Sequence, residues 1–292
     1  MSESNKRKNQ IKGKFDTLFQ KYNTPEYLGT DPIFLCYLYD SKEDKEFVGL
    51  ISSLFAYGNV TAIRRFLSRL LEPMGKSPKS FLLSEGTKVL RNRLGAYRFQ
   101  TENDTLLFLD GLRIAYRQNA QIGSWSLEPW FQTETSRASL ENRILHFQRK
   151  FGSVLQSINP KWETYGLKFL IGTGKQNSAL KRYCMFLRWM VRNQSPDFGL
   201  YKSISTSELV FPLDTHINRI GEIIGATFRK SPDFKKSREI TDFFLDLYPE
   251  DPLRMDFALS RLGILKKCKA KYDQDLCETC ELRSICRIYA NR

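Results

Sequence analysis

The chain predicts an all-α protein, and three observations carry that expectation. Apolar residues recur at three- and four-residue steps along most of its 292 residues, the spacing that lays a single stripe along a helix. No β-branched run is long enough to build a sheet, and no hairpin dipeptide sits between alternating hydrophobics. Proline, glycine and small polar capping residues break the pattern into helix-length pieces joined by short polar turns.

Taken in order, residues 1–12 are polar and basic and are expected to be a frayed arm able to touch phosphate. Helices begin near Lys14. Phe47, Leu50, Ile51, Leu54 and Phe55 form one stripe, with Gly58 where that helix would stop. Val60, Ile63, Phe66, Leu67 and Leu70 form the next, with Arg64, Arg65 and Arg69 away from it. Asp104 is the expected N-cap of a helix over 105–117. After Pro129 a stripe resumes at Leu140, Ile144, Phe147 and Phe151. Residues 178–193 read as a mainly buried helix on which Lys181, Arg188 and Arg192 share one line. Such a narrow basic stripe either pairs with internal carboxylates or lines a cleft for phosphates. Asp214 or Thr215 caps a helix carrying Ile217, Ile220, Ile223 and Ile224, and Ser237 caps the next, which Pro249 stops. Asp251 and Pro252 then open a helix that Gly263 ends.

Lys and Arg number 46 against 32 Asp and Glu, a net charge of +14. The excess points to a polyanion, with double-stranded DNA first and an anionic membrane surface far behind, or to a solvated basic face. No apolar run approaches the roughly 20 residues needed to span a bilayer. The basic N-terminus has no apolar core behind it, so a cytoplasmic, reducing compartment is expected, with the cysteines as thiols or metal ligands. Cys36 and Cys184 sit among apolar neighbours and read as buried structural residues.

The other four cysteines, Cys268, Cys277, Cys280 and Cys286, fall within 19 residues with gaps of eight, two and five. A Cys-x2-Cys pair flanked by single cysteines can wrap four thiolates around one inorganic centre. Structural zinc sites use two short clips, and only the middle pair forms one here. Iron–sulfur cubanes accept uneven gaps because their ligands approach separate corners of a larger object. The spacing places a [4Fe–4S] cluster first, zinc second and a disulfide framework well behind.

The segment PLDTHINRI (212–220), SRLGI before the first cysteine, and the cysteine loop together resemble the endonuclease III-like helix-hairpin-helix DNA glycosylases. Those enzymes carry a Cys-x6-Cys-x2-Cys-x5-Cys tail on a [4Fe–4S] cluster, and here the first gap is two residues longer. FAYGNV (55–60), KRYCMFLRWMVR (181–192) and PLDTH are closer still to an uncharacterised bacterial branch of that superfamily. The resemblance implies a two-lobed fold with a cleft, and Asp214 at the position of the catalytic aspartate. It also implies a Gly-x-Gly hairpin that holds a DNA phosphate, for which Gly172 and Gly174 in IGTGKQNSA (171–179) are the candidates. That turn is one residue longer than the family's and lacks the Leu-Pro before it. Aligned on the turn, Lys175 lies nearest the family's lysine, whose position falls on Gln176 or Asn177. Aligned on the helix, Lys181 or Arg182 takes the place, with 193–211 as an insertion. Lys181 is preferred because it shares a line with two cations, which would lower its pKa.

The organisation expected is an N-terminal arm and helix (1–40) joining the C-terminal lobe, a central bundle (41–170), a hairpin-like segment with the C-terminal lobe (171–265), and the cluster loop (266–292). The chemistry implied is excision of a flipped-out damaged base by a monomer, nucleoid-associated if bacterial, with abasic-site lyase activity resting on the lysine. Lys175, Arg182, Arg188, Arg192, Lys269 and Lys271, with Lys266 and Lys267, are the candidate DNA contacts. The alternative is a non-catalytic nucleic-acid-binding protein on the same scaffold. A zinc-stabilised protein that does not bind DNA ranks third. His146 and His216 are expected to be structural.

Overall fold

In the computed structural model, which describes residues 3–135, 138–176 and 178–292, every regular element is helical. Among the described residues the sole pairing of extended backbone is an isolated antiparallel bridge between Tyr97 and Gln100. The chain divides into two compact units, Pro32–Gln176 and Met1–Asp31 with Asn177–Arg292. These boundaries fall nine residues before and six residues beyond the expected limits of the central bundle, and the second lies inside the glycine turn.

Helix α1 spans Glu3–Tyr22 and belongs to the second of these units. The expected frayed arm is therefore helical from Glu3 onward. The Phe15 ring meets Phe244 at 5.0 Å and Phe243 at 6.2 Å, and Lys8 and Lys21 reach Asp246 and Glu281. That apolar anchor explains why a polar, basic segment stays wound.

The unit 32–176 holds α2 (Lys42–Leu54), α3 (Val60–Leu71), α4 (Pro78–Glu85), α5 (Glu102–Gln121), α6 (Leu140–Ile158) and α7 (Tyr165–Ile171). Its core is aromatic. Phe47, Phe55, Phe66, Phe108, Trp130, Phe147 and Phe151 are all fully buried, and Phe147 stacks between Phe131 and Phe151. Helices α5 and α6 approach closely at Gly111, where a Cβ would lie 2.7 Å from Leu155 and 2.9 Å from Phe151. Helix α5 starts three residues before the place the sequence suggested. Thr101 is its N-cap and Asp104 completes the capping box, one reciprocal pair satisfying two orphan amides. Asp104 also accepts from the Thr164 hydroxyl at 2.6 Å, the N-cap of α7, so one carboxylate ties two helix starts together.

The other unit continues with α8 (Lys181–Val191), α9 (Thr215–Ile223), α10 (Phe234–Leu247), α11 (Asp256–Ile264), α12 (Gln274–Glu278) and α13 (Arg287–Ala290). Asp233, not Ser237, caps α10. A 3-10 turn, Pro252–Met255, precedes α11, which runs through Gly263 instead of ending there. At Gly263 a Cβ would collide with the His216 ring, so this glycine makes room for α9 against α11. His216 has the structural place expected of it.

Replacing Asp104 by Ala removes the capping box and the Thr164 bond. A loss of about 1–2 kcal/mol in urea unfolding is expected, and unchanged stability would show that the shared carboxylate is idle.

Candidate functional site

Helix α8 begins without a side-chain cap, at Leu180 in left-handed geometry (φ 51°, ψ 25°), and buries nearly every residue from Tyr183 to Val191. Burial decides what its basic stripe does. Arg188 and Arg192 are each 2% exposed. The Arg188 guanidinium donates to Asp197 at 3.2 Å and to Asp256. Arg192 donates to Asp197 and forms a two-pronged fork on Asp251 at 2.9 and 2.8 Å. A third buried arginine, Arg261, donates to Asp31 at 3.1 Å. Burial opposes the charge on Arg188, but Asp197, Asp256 and Asp31 outweigh it and hold its pKa above the ordinary value. The expectation that Arg188 and Arg192 touch DNA phosphates is corrected: their hydrogen-bonding edges are directed at internal carboxylates, out of reach of a duplex.

The segment expected as an insertion supplies this network. Residues 193–201 fold back on the end of α8, with the Phe198 amide donating to the Trp189 carbonyl and the Tyr201 amide to the Met190 carbonyl, both at 2.8 Å. That return delivers Asp197 between the two arginines. Nothing in the local sequence marks Asp197; its partners are five and nine residues back, across a turn.

Lys181, at the exposed end of the same stripe, differs. It is half-buried. Burial lowers its pKa, opposed by the charges of Asp214, Asp31 and Asp256, with Arg182 adding a smaller lowering. Desolvation, more than the neighbouring Arg182, makes this amine easier to deprotonate. Asp214 is the N-cap of α9: its Oδ1 accepts from the His216 amide at 2.8 Å and the Ile217 amide at 2.7 Å. Among the described residues, no donor takes its second oxygen. Asp256 completes the set. Burial pushes its carboxyl up to about 6 despite Arg188, and Asp214 and Asp31 push the same way. Lys181, Asp214, Asp256 and Asp31 thus form one electrostatic neighbourhood from four separate stretches of chain.

The glycine turn behaves otherwise. The Gly172 amide donates to the Lys168 carbonyl as the end of α7, and the Gly174 amide donates to buried Gln148 at 2.9 Å. Arg149 caps the Gly174 carbonyl at 3.0 Å. Both glycines take positive φ, 92° and 69°. Their amides are bonded within the chain, which corrects the expectation that they hold a phosphate. Lys175 is exposed on this turn, in the other unit from Lys181. Asn177 lies outside the described residues.

Cys268, Cys277, Cys280 and Cys286 line one small cavity of about 30 Å³ with Asp273 and Tyr289. Three of them meet a backbone amide. The Asp273 N–H points at Cys277 Sγ, 3.5 Å away, and the Ala270 and Leu282 amides serve Cys268 and Cys280. Amides aimed at sulfur favour thiolate, whereas burial pushes the Cys268 and Cys280 thiols up. A cation in the cavity would relieve that opposition. Among the described residues no group of three or more His, Cys, Asp or Glu side chains is disposed to hold a single metal ion. Lys269 and Lys271 are exposed on this loop, Lys269 paired with Asp273 at 2.7 Å. His146, in the other unit, has its pKa lowered by burial and by Lys150 and Arg149.

The fold and site define an all-helical protein with a buried arginine–aspartate network, a desolvated lysine near an aspartate, and a convergent four-thiol loop. The chain belongs to the family described as protein of unknown function (DUF2400), matched over residues 31–265. The matched region includes Lys181 and Asp214 and stops short of the four cysteines. No curated protein and no solved structure matches the chain. Among the described residues, no helix is long and apolar enough to cross a membrane.

Truncating Asp197 to Ala leaves two buried guanidinium groups short of partners. A loss of about 3–5 kcal/mol is expected, read as a lowered thermal midpoint by circular dichroism.

Proposed function

We propose that this chain is a DNA-repair protein of the helix-hairpin-helix type, a base-excision N-glycosylase acting on a flipped-out damaged base. The observation that carries the reading is the pairing of Lys181 and Asp214 in one desolvated neighbourhood. Residues 33 positions apart in sequence supply a carboxylate with an unused oxygen and an amine whose pKa burial depresses. Cleavage of a glycosidic bond develops positive charge on the sugar, and a nearby carboxylate stabilises it. The Asp214 cap bonds hold Oδ1 still and leave Oδ2 for that task. The departing base takes the electron pair of the glycosidic bond and gains a proton. A neutral Lys181 amine can then add to the sugar C1′, and one of its protons passes to the ring oxygen as the C1′–O4′ bond opens and the protonated imine forms.

The four thiols are assigned to a [4Fe–4S] cluster, with zinc as the alternative. Four half-buried cysteines around one cavity, with amides aimed at three of them, support the assignment. A bound cluster supplies a covalent cross-link for the loop. Lys269, Lys271, Lys266 and Lys267 on that loop, with Arg182 and Lys175, are the cations assigned to duplex phosphates. The basic balance of the chain supports a polyanionic partner.

Two measurements test these assignments. Anaerobically purified protein should be brown and contain about four iron and four sulfide per chain, and Cys280→Ser should lower both. Zinc without sulfide would replace the cluster by the alternative. For the chemistry, duplexes bearing uracil, an oxidised pyrimidine, 8-oxoguanine or an abasic site are incubated with borohydride. Asp214→Asn should slow base release at least a hundredfold, and Lys181→Ala should abolish trapping. Removing the Asp214 charge removes the largest of the three influences that raise the Lys181 pKa, so residual trapping in Asp214→Asn should persist to lower pH than in the parent. Salt-sensitive duplex binding without turnover on any lesion would instead make the protein a non-catalytic binder, and equal excision by Asp214→Asn would sink the catalytic assignment.

A further inference from the structure

Many cations of the unit that contains the cysteine loop have a carboxylate within ion-pair distance, among them Lys8, Lys21, Arg188, Arg192, Arg229, Lys236, Arg238, Arg261 and Lys269. Three that have no such partner among the described residues converge. Arg7 and Lys14 on α1 and Arg287 at the start of α13 line one surface cavity of about 520 Å³, and no carboxylate is among its lining residues. Like charges gathered round one space without a counter-charge repel one another, so the arrangement is relieved by an anion from outside.

The remainder of the lining says more about that anion. Ile11, Ile224 and Phe243 give the cavity an apolar wall, and the volume falls within the ~300–1,000 Å³ range of small-molecule sites. Arg287 is also held in place. Its guanidinium lies over the Phe228 ring at 4.1 Å and crosses the backbone of Gly225, where an added Cβ would stand 2.9 Å from its terminal nitrogen. Gly225 has φ +76°, a conformation that glycine adopts without strain. Stacking on one ring face orients the exposed guanidinium toward the cavity's rim and leaves its donor edge available for phosphate.

We propose that the cavity between α1, the end of α9 and α13 is a binding site for a nucleoside phosphate, its phosphates held by Arg7, Lys14 and Arg287 and its nucleoside against the apolar wall. The source is a free nucleotide or the phosphorylated end of a nucleic-acid strand. The site is separate from Lys181 and Asp214 and stands whether or not those residues excise a base.

The test uses the full-length protein as purified, titrated calorimetrically with ADP, pyrophosphate, adenosine and a 5′-phosphorylated tetranucleotide. Saturable one-to-one binding of ADP or the tetranucleotide is expected, with the tighter of the two identifying the source, and adenosine should bind at least tenfold more weakly. Arg287→Gln should weaken binding at least tenfold, while Lys235→Gln, which removes an exposed cation outside the cavity, should change it less than twofold. Phe228→Ala keeps every charge but removes the exposed ring that the guanidinium lies on, and should weaken binding severalfold with its circular dichroism spectrum unchanged. Ligand should also shield Lys14 from acetylation, read by mass spectrometry. Absence of saturable binding by both phosphorylated ligands, equal effects of Arg287→Gln and Lys235→Gln, or pyrophosphate binding as tightly as ADP would overturn the proposal.

Discussion

The arrangement around Lys181 depends on one buried interaction, the arginine–aspartate lattice at the far end of the same helix. Arg188 and Arg192 project from α8 into carboxylates on the return loop (Asp197), on the turn before α11 (Asp251) and on α11 itself (Asp256). Each of these charges would be costly alone in the interior, so the set is stable only when all are seated. A lattice with that property acts as a register. It fixes the rotation of α8 and the position of the α11 start together, and through α11 the seat of α9, whose His216 ring fills the space above Gly263.

That register explains why Lys181 and Asp214 share an environment although no hydrogen bond joins them. Lys181 sits on the first turn of α8 and Asp214 is the cap of α9. Both helices are pinned further along by packing on α11. Asp256, the first residue of α11, is close enough to both for its own ionisation to respond to Asp214 and for Lys181 to respond to it. Lys181 is thus the one member of the stripe outside the lattice, desolvated by the same packing yet not neutralised by a contact pair.

Much of this was legible in the sequence, and the part that was not has a physical reason. Helical periodicity identifies the fold class because the apolar stripe is a local property. The basic line of Lys181, Arg188 and Arg192 is legible for the same reason. Its purpose is not, since a buried arginine takes its partner from wherever the chain returns, and Asp197, Asp251 and Asp256 lie on loops and helix starts whose positions only tertiary packing sets. The four cysteines line one small cavity, but spacing alone does not dictate that, since an extended chain of that length could hold them far apart and the turns of the loop bring them round. Gly172 and Gly174 mislead because a Gly-x-Gly turn looks the same whether its amides face a phosphate or, as here, the Lys168 carbonyl and a buried glutamine near the centre of α6. Asp104 and Ser237 show the usual ambiguity of caps: several small polar residues near a helix start can serve, and hydrogen-bond reciprocity selects among them.

The distribution of paired and unpaired charge is itself an argument about where ligands go. A net charge of +14 spread evenly would favour any polyanion anywhere on the surface, with affinity falling steeply in salt. Here the interior consumes several of the arginines, and surface carboxylates hold some of the lysines on α1, α10 and the cysteine loop. Of the cations without such a partner, Arg7, Lys14 and Arg287 are gathered round one cavity. Concentration matters more than total charge, because converging donors can act on one phosphate at once, whereas scattered ones each meet a separately hydrated site. The recognisable anion sites of this chain are therefore the places where pairing stops, and the net charge taken over all 292 residues identifies none of them.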